Sequence, residues 1–186
     1  MPAIALLCLT ASCDRQAGPA GAPGRYGFGH PAPPTMIAAE DIAIPPNGHG
    51  LPPGSGTAAV GAPLFAQQCA SCHGANGEGT PLGVKLIGRD PRAGFPFGRD
   101  PKLVKTIGNY WPYATTLFDY VRRAMPLSAP GSLNDAQVYA LTAYLLARNE
   151  VIPDSMVVDA ATLPRIRMPA RDRFVVDDRT GGGNFR

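Results

Sequence analysis
The sequence predicts an all-α fold, one small helical domain of roughly 90 residues between two extended flanking segments. Three observations lead there. Gly and Pro supply 22 and 21 of the 186 residues, and 18 of these crowd between Asp14 and Thr57, a density that predicts neither regular helix nor strand in that stretch. After residue 58 apolar side chains recur at helical spacing in separate runs. Between those runs stands a single Cys69-Ala70-Ser71-Cys72-His73, with no strand pattern around it. A core this small is marginal on hydrophobic burial alone and often needs a metal, a disulfide or a cofactor.

Residues 1–13 read as a signal peptide. Ala3 to Leu9 is an apolar run too short to span a bilayer, but it fits a signal-peptide core. The small residues before Cys13 have the form of a bacterial lipoprotein cleavage site. No Lys or Arg precedes the run, and Thr10 stands where such sites usually carry Leu. The sequence therefore predicts an exported, periplasmic chain, with Cys13 a candidate lipid anchor and an ordinary signal peptide as the alternative. Residues 14–57 form the extended arm, and its Tyr26, Phe28, Ile42, Ile44 and Leu51 predict that parts of it lie against a surface. The net charge of +3 comes with no Lys/Arg run and no interleaved aromatic strip, so nucleic acid is not an expected partner. Cys8, Cys13, Cys69 and Cys72 are not distributed as a disulfide framework.

The helical domain spans residues 58–150. Ala58 to Gln68 can form a helix with Gly61 and Phe65 on one side, and Pro63, tolerated in a first turn, places its start near Ala62. Cys-x-x-Cys-His then follows, the attachment signature of c-type haem. Two thiols about one helical turn apart can add to the two vinyl groups along one edge of the macrocycle, and His73 is directed at the iron as the proximal ligand. A zinc site needs a second Cys/His pair, whereas His30 and His49 lie in the arm. A thioredoxin-like pair needs a βαβ setting, and a Cys69–Cys72 disulfide closes a strained loop of little stabilising reach. The glycines at 74, 77, 79 and 83 allow the backbone to wrap a flat ligand.

Candidates for the second axial ligand are Met36, Met125, Met156, Met168, His30 and His49. Met125 is favoured. It follows a predicted helix, Thr116 to Ala124, whose Leu117, Phe118, Val121 and Ala124 recur at helical spacing. Pro126 then ends that helix and turns the chain, which can hold the thioether inward; the alternative is an ordinary core methionine. The last helix is capped by Asn134 with Gln137 as reciprocal partner. It runs to about Asn149, and its stripe of Val138, Leu141, Tyr144, Leu145 and Leu146 is expected to cross the helix bearing Gly61 and Phe65. Residues 151–186 form an extended tail whose Val157, Leu163, Ile166 and Phe174 predict packing along the domain or a partner, with Gly181 to Gly183 loose.

Cys69, Cys72, His73 and Met125 between two terminal helices resemble the class I cytochromes c. More narrowly, YGFGHP, GLPPGSG, CASCHG, NYWPYATTLFDYVRRAMP, LNDAQVYALTAYLLARN and TLPRIRMPARDRFV resemble the SoxD family, cytochrome subunits of the Sox sulfane dehydrogenase. These stretches cover roughly Tyr26 to Val175, and Trp111 to Pro126 is the most specific. The resemblance implies a class I cytochrome c fold around one covalent haem c, with His73 and Met125 as axial ligands and Cys69 and Cys72 as attachment points. It also implies an electron-transfer subunit rather than a catalytic one, beside a molybdenum-cofactor subunit of the sulfite-oxidase type that oxidises sulfane sulfur or sulfite, with a downstream electron acceptor. A free or membrane-tethered periplasmic carrier serving a terminal oxidase is the alternative. A haem enzyme or gas sensor needs an open iron site, which Met125 disfavours.

Two departures from the family stand in the sequence. Some SoxD proteins carry a second haem domain, and this chain has one Cys-x-x-Cys-His. Class I cytochromes usually have Pro where Val84 stands, a residue whose carbonyl accepts a bond from the proximal histidine; Val84 keeps a carbonyl for it. Trp111 can donate to a haem propionate or fill the core. Arg122 and Arg123 can pair with propionates, face an acidic partner or form a solvated helix end.

Overall fold
A computed structural model of the chain describes residues 30–175. The expected signal peptide with Cys13, the arm as far as residue 29, and Gly181 to Gly183 lie outside the described residues. The chain divides into two compact units, 1–40 and 41–186. In the first, α1 (Pro34–Glu40) is a fully exposed seven-residue helix, so the arm is not devoid of regular structure. The Gly and Pro are unevenly placed: residues 35–44 contain none, and Pro34 takes the first helical position, where its missing N–H is no loss.

The second unit is built on α5 (Asp135–Arg148), against which both α2 (Ala58–Gln68) and α4 (Ala114–Ala124) pack. The α5 N-terminus is fixed as its sequence predicts. Asn134 Oδ1 accepts from the Gln137 N–H and Gln137 Oε1 accepts from the Asn134 N–H, each at 2.9 Å. Val138, Tyr139, Leu141 and Leu146 are then buried in the core with Phe65 and Phe118. α2 starts four residues before the expected Ala62: Thr57 caps it through the Val60 N–H at 3.4 Å, and Pro63 lies inside the helix. Pro63 and Ala59 are both exposed, so the one bond forfeited, Pro63 to the Ala59 carbonyl, is lost where water can take its place.

The chain meets α5 at close range because two glycines allow it, Gly61 within α2 and Gly56 just before it. A Cβ on Gly61 would stand 2.0 Å from the Ala140 carbonyl oxygen, and one on Gly56 would stand 2.2 Å from the Ala140 nitrogen. Phe65 then lies over Tyr144 with ring centroids 5.1 Å apart, so the expected crossing is seen, with backbone against backbone.

Gly56 also belongs to β1 (Ser55–Gly56), which pairs antiparallel with β2 (Val158–Asp159). This two-residue ladder leaves the fold all-α. Both flanks of the domain are fastened to it. Asp119 Oδ1 accepts the Ile44 N–H at 2.9 Å, Thr115 donates to the Pro46 carbonyl at 3.0 Å, and the Tyr139 hydroxyl donates to the Pro52 carbonyl at 2.8 Å. Beyond α5, Ile152, Val158, Leu163, Met168 and Ala170 are buried. Among the described residues no helix is long and apolar enough to cross a membrane.

Candidate functional site
α2 breaks at Cys69, whose φ of −123° leaves helical space, and a single further turn, α3 (Ala70–His73), follows. The Cys72 and His73 N–H groups both donate to the Cys69 carbonyl, at 3.1 and 2.9 Å. One turn of backbone therefore presents two sulfurs and an imidazole together. Both thiols are free and half-buried. Burial, with the charge of Cys72 adding to it, pushes the Cys69 thiol up to about 11, so the side chain is a neutral thiol in the free chain. Among the described residues no three His, Cys, Asp or Glu side chains gather into a metal site.

The His73 ring is oriented by its own loop. Nδ1 lies 2.7 Å from the Val84 carbonyl oxygen. A carbonyl can only accept, so Nδ1 carries the proton and Nε2 keeps its lone pair, the tautomer a ligand through Nε2 requires. The loop is tied back at several points. Thr80 donates its hydroxyl to the Cys72 carbonyl, the Gly79 N–H donates to the His73 carbonyl at 2.7 Å, and the Leu86 N–H to the Gly77 carbonyl at 2.8 Å. Gly83 is required by closeness: a Cβ there would lie 2.6 Å from the Cys72 carbonyl oxygen and 3.1 Å from His73 Nδ1.

Met125 is the C-cap of α4, half-buried and extended, its N–H donating to the Val121 carbonyl at 3.2 Å. α4 begins two residues before the expected Thr116 and buries Leu117, Phe118 and Val121. The other ligand candidates are placed differently. Met168 is sealed in the core, Met156 is half-buried in the tail, His49 is exposed, and His30 and Met36 are exposed in the first unit. The chain thus puts Cys72 and His73 on α3 with Cys69 at its N-cap, and Met125 at the C-cap of α4, and α5 supports α4 and the helix leading into α3. Free thiols one turn apart, an imidazole with Nε2 available and a soft thioether at a helix end fit a covalent haem.

Three side chains with two expected uses are engaged within the chain. The Trp111 indole donates to the Thr116 hydroxyl at 3.0 Å. Arg122 bridges α4 to α5 through Asp135 at 2.9 Å, and Arg123 pairs with Asp119 one turn back in α4. Burial raises the Asp119 carboxyl, but bonds from Arg123 and the Ile44 N–H, with the charges of Arg123 and Arg122, outweigh it and hold the group below its ordinary value. Sequence reading missed Thr80 and Asn149. A hydroxyl in a Gly79-Thr80-Pro81 turn was a local signal for the first.

Residues 58–149 match the family model for cytochrome c. A chain of the crystal structure of the sulfane dehydrogenase SoxCD from Paracoccus pantotrophus is 42% identical with a TM-score of 0.69, the match covering 83% of this chain and 74% of that one. Thiosulfate dehydrogenase of Stutzerimonas stutzeri (strain A1501) is 26% identical over 126 residues, 65% of this chain. The chain spans 37% of the length of that curated relative.

Proposed function
This chain belongs to the cytochrome c family and carries haem c, and from that premise we propose that it is the electron-transfer subunit of a molybdenum-dependent sulfur-compound dehydrogenase of the Sox type. The extent of one likeness carries the proposal. The SoxCD chain matches 83% of this sequence, well beyond the cytochrome segment 58–149. The match therefore takes in flanking segments, which the iron itself does not require, and shared flanks favour a shared kind of partner.

Haem c supplies reversible one-electron exchange at its iron. The chain does the rest. Cys69 and Cys72 would hold the group through thioether bonds, His73 would bind the iron through Nε2 while Val84 fixes its ring, and Met125 would offer its thioether from the end of α4. With His73 and Met125 both offered to the iron, no place would be left for a substrate, which suits electron transfer and would leave catalysis to the partner. That partner is a molybdenum-cofactor subunit of the sulfite-oxidase type, oxidising sulfane sulfur or sulfite, and electrons leave this chain singly for a downstream acceptor. Leu82 and Val84 on the proximal loop, and Leu127 just past Met125, are 78%, 71% and 75% exposed, apolar surface that a docked protein can dry. In this role residues 1–13 would serve as a signal peptide that sends the chain to the periplasm, with Cys13 a candidate lipid anchor and an ordinary signal peptide as the alternative.

The test is gentle purification of the tagged mature chain from its own host, with iron and molybdenum measured in the eluate. Comparable amounts of both are expected. Iron alone, at one per chain, would favour the free or membrane-tethered carrier to a terminal oxidase, and no iron would overturn the haem assignment.

A further inference from the structure
We infer that Asn149, at the far end of the last helix, is a positioning residue for the proximal ligand, fixing the backbone whose Val84 carbonyl holds the His73 ring. The inference rests on His73 being the iron ligand. Asn149 is 0% exposed, and all its polar capacity is turned on one loop and its own helix. Oδ1 accepts the Gly88 N–H at 2.9 Å, while Nδ2 donates to the Leu86 carbonyl at 3.3 Å and the Leu145 carbonyl at 2.8 Å. The Leu86 carbonyl also accepts the Ile107 N–H at 3.1 Å, so two distant segments grip a peptide two residues from Val84. The space is closed: a Cβ on Gly108 would stand 2.6 Å from both Asn149 Oδ1 and the Gly88 oxygen.

Asparagine at a helix end often serves to enter the left-handed region. Asn149 does not, with φ −91° and ψ 11°; Glu150 takes the positive φ, at 54°. Packing of the Val84 side chain cannot hold the Val84 carbonyl either, because that side chain is 71% exposed. The peptide is set by bonds on either side of it, to Gly77 and His73 from the loop itself and to Asn149 and Ile107 from outside. A firm Nδ1–H···O=C bond raises the donor strength of the imidazole and favours the ferric state. Loosening the loop should therefore raise the reduction potential and expose the ring proton to exchange.

The test uses the full haem-loaded chain, reduced for NMR, with Asn149→Ala beside Arg92→Ala. Arg92 makes an exposed two-pronged pair with Glu150 at 2.8 and 3.0 Å, at the same helix end, with no bond to residues 84–88. Asn149→Ala should speed exchange of the His73 Nδ1 proton about tenfold or more and move the potential positive, whereas Arg92→Ala should do neither. A folded Asn149→Ala with both readings unchanged, or an Arg92→Ala that moves both as far, overturns the inference. If Asn149→Ala does not fold, the wild type decides: protection of the His73 ring proton like that of the Gly88 and Ile107 amides supports the shared staple, and a ring proton about tenfold less protected overturns it. A wild-type His73 ring without the ring-current shift of a haem ligand would overturn the ligation itself, a failure separate from that of Asn149.

Discussion

His73 is held through one ring nitrogen so that the other is free, and Met125 reaches the end of its helix half-buried rather than sealed in the core. Met125→Ala is expected to keep haem attached, since Cys69 and Cys72 are untouched, while its iron turns high-spin and the reduced protein binds carbon monoxide stoichiometrically; optical spectra check both. Asp119 governs an acid-sensitive part of the stability. Its carboxyl is held below the ordinary range, so its contribution is present above the unfolded-state value and lost as pH falls through the folded-state one. Asp119→Asn should cost about 1–3 kcal/mol at neutral pH, and the gap to wild type should close as acid titrates the carboxylate. Denaturant melts across pH measure this. The turn that carries Cys69, Cys72 and His73 was legible in the sequence because it is one short local run. Asn149 was not, since its partners Leu86 and Gly88 lie 63 and 61 positions away, and nothing local distinguishes it from an ordinary helix end.

At the scale of elements, the crossing of α2 over α5 is the contact that sets where the Cys-x-x-Cys-His turn begins. Gly61→Ala forces a methyl to 2.0 Å from the Ala140 oxygen, and the helices must part. A loss of about 3 kcal/mol or more is expected, at or above the top of the usual cost of overpacking. Asn134→Ala, which removes one half of a capping box, should cost only about 1 kcal/mol. A thermal melt that ranked these two the other way would contradict the crossing. The crossing and the cap were both readable, because helical periodicity and capping are local properties. The start of α2 and the existence of α1 were misread, in each case by giving proline more weight than its position warrants. Pro63 forfeits a bond on an exposed face, and Pro34 sits where a helix can begin. The β1–β2 pair joins residues more than a hundred positions apart, and two residues of strand leave no periodicity to detect.

At the scale of the molecule, the described segments that flank the domain in its own unit, residues 41–57 and 151–175, are structural parts of the cytochrome. Ile152, Val158, Leu163, Met168 and Ala170 bury their side chains beyond α5, and full burial of an aliphatic side chain is worth about 1.5–3 kcal/mol. A chain ending at Glu150 should therefore lose about 10 °C or more in Tm by calorimetry, even though Cys69, Cys72, His73 and Met125, the residues proposed to hold haem, all remain. Of the residues that had signalled packing, Leu163 and Ile44 are buried and Phe174 meets Phe95 and Tyr110, while Val157 and Ile42 are exposed; the bonds from Ile44 and Pro46 to α4 had no local signal. Taken as a whole, the proposed role asks the chain to hold its iron between His73 and Met125 and to present its apolar loops to a partner, as an electron carrier would. Titration of the reduced wild-type chain with carbon monoxide, followed optically, tests this most directly. An unchanged low-spin spectrum is predicted, because iron held by both His73 and Met125, as proposed, would have no open position; carbon monoxide binding to the intact chain would contradict it.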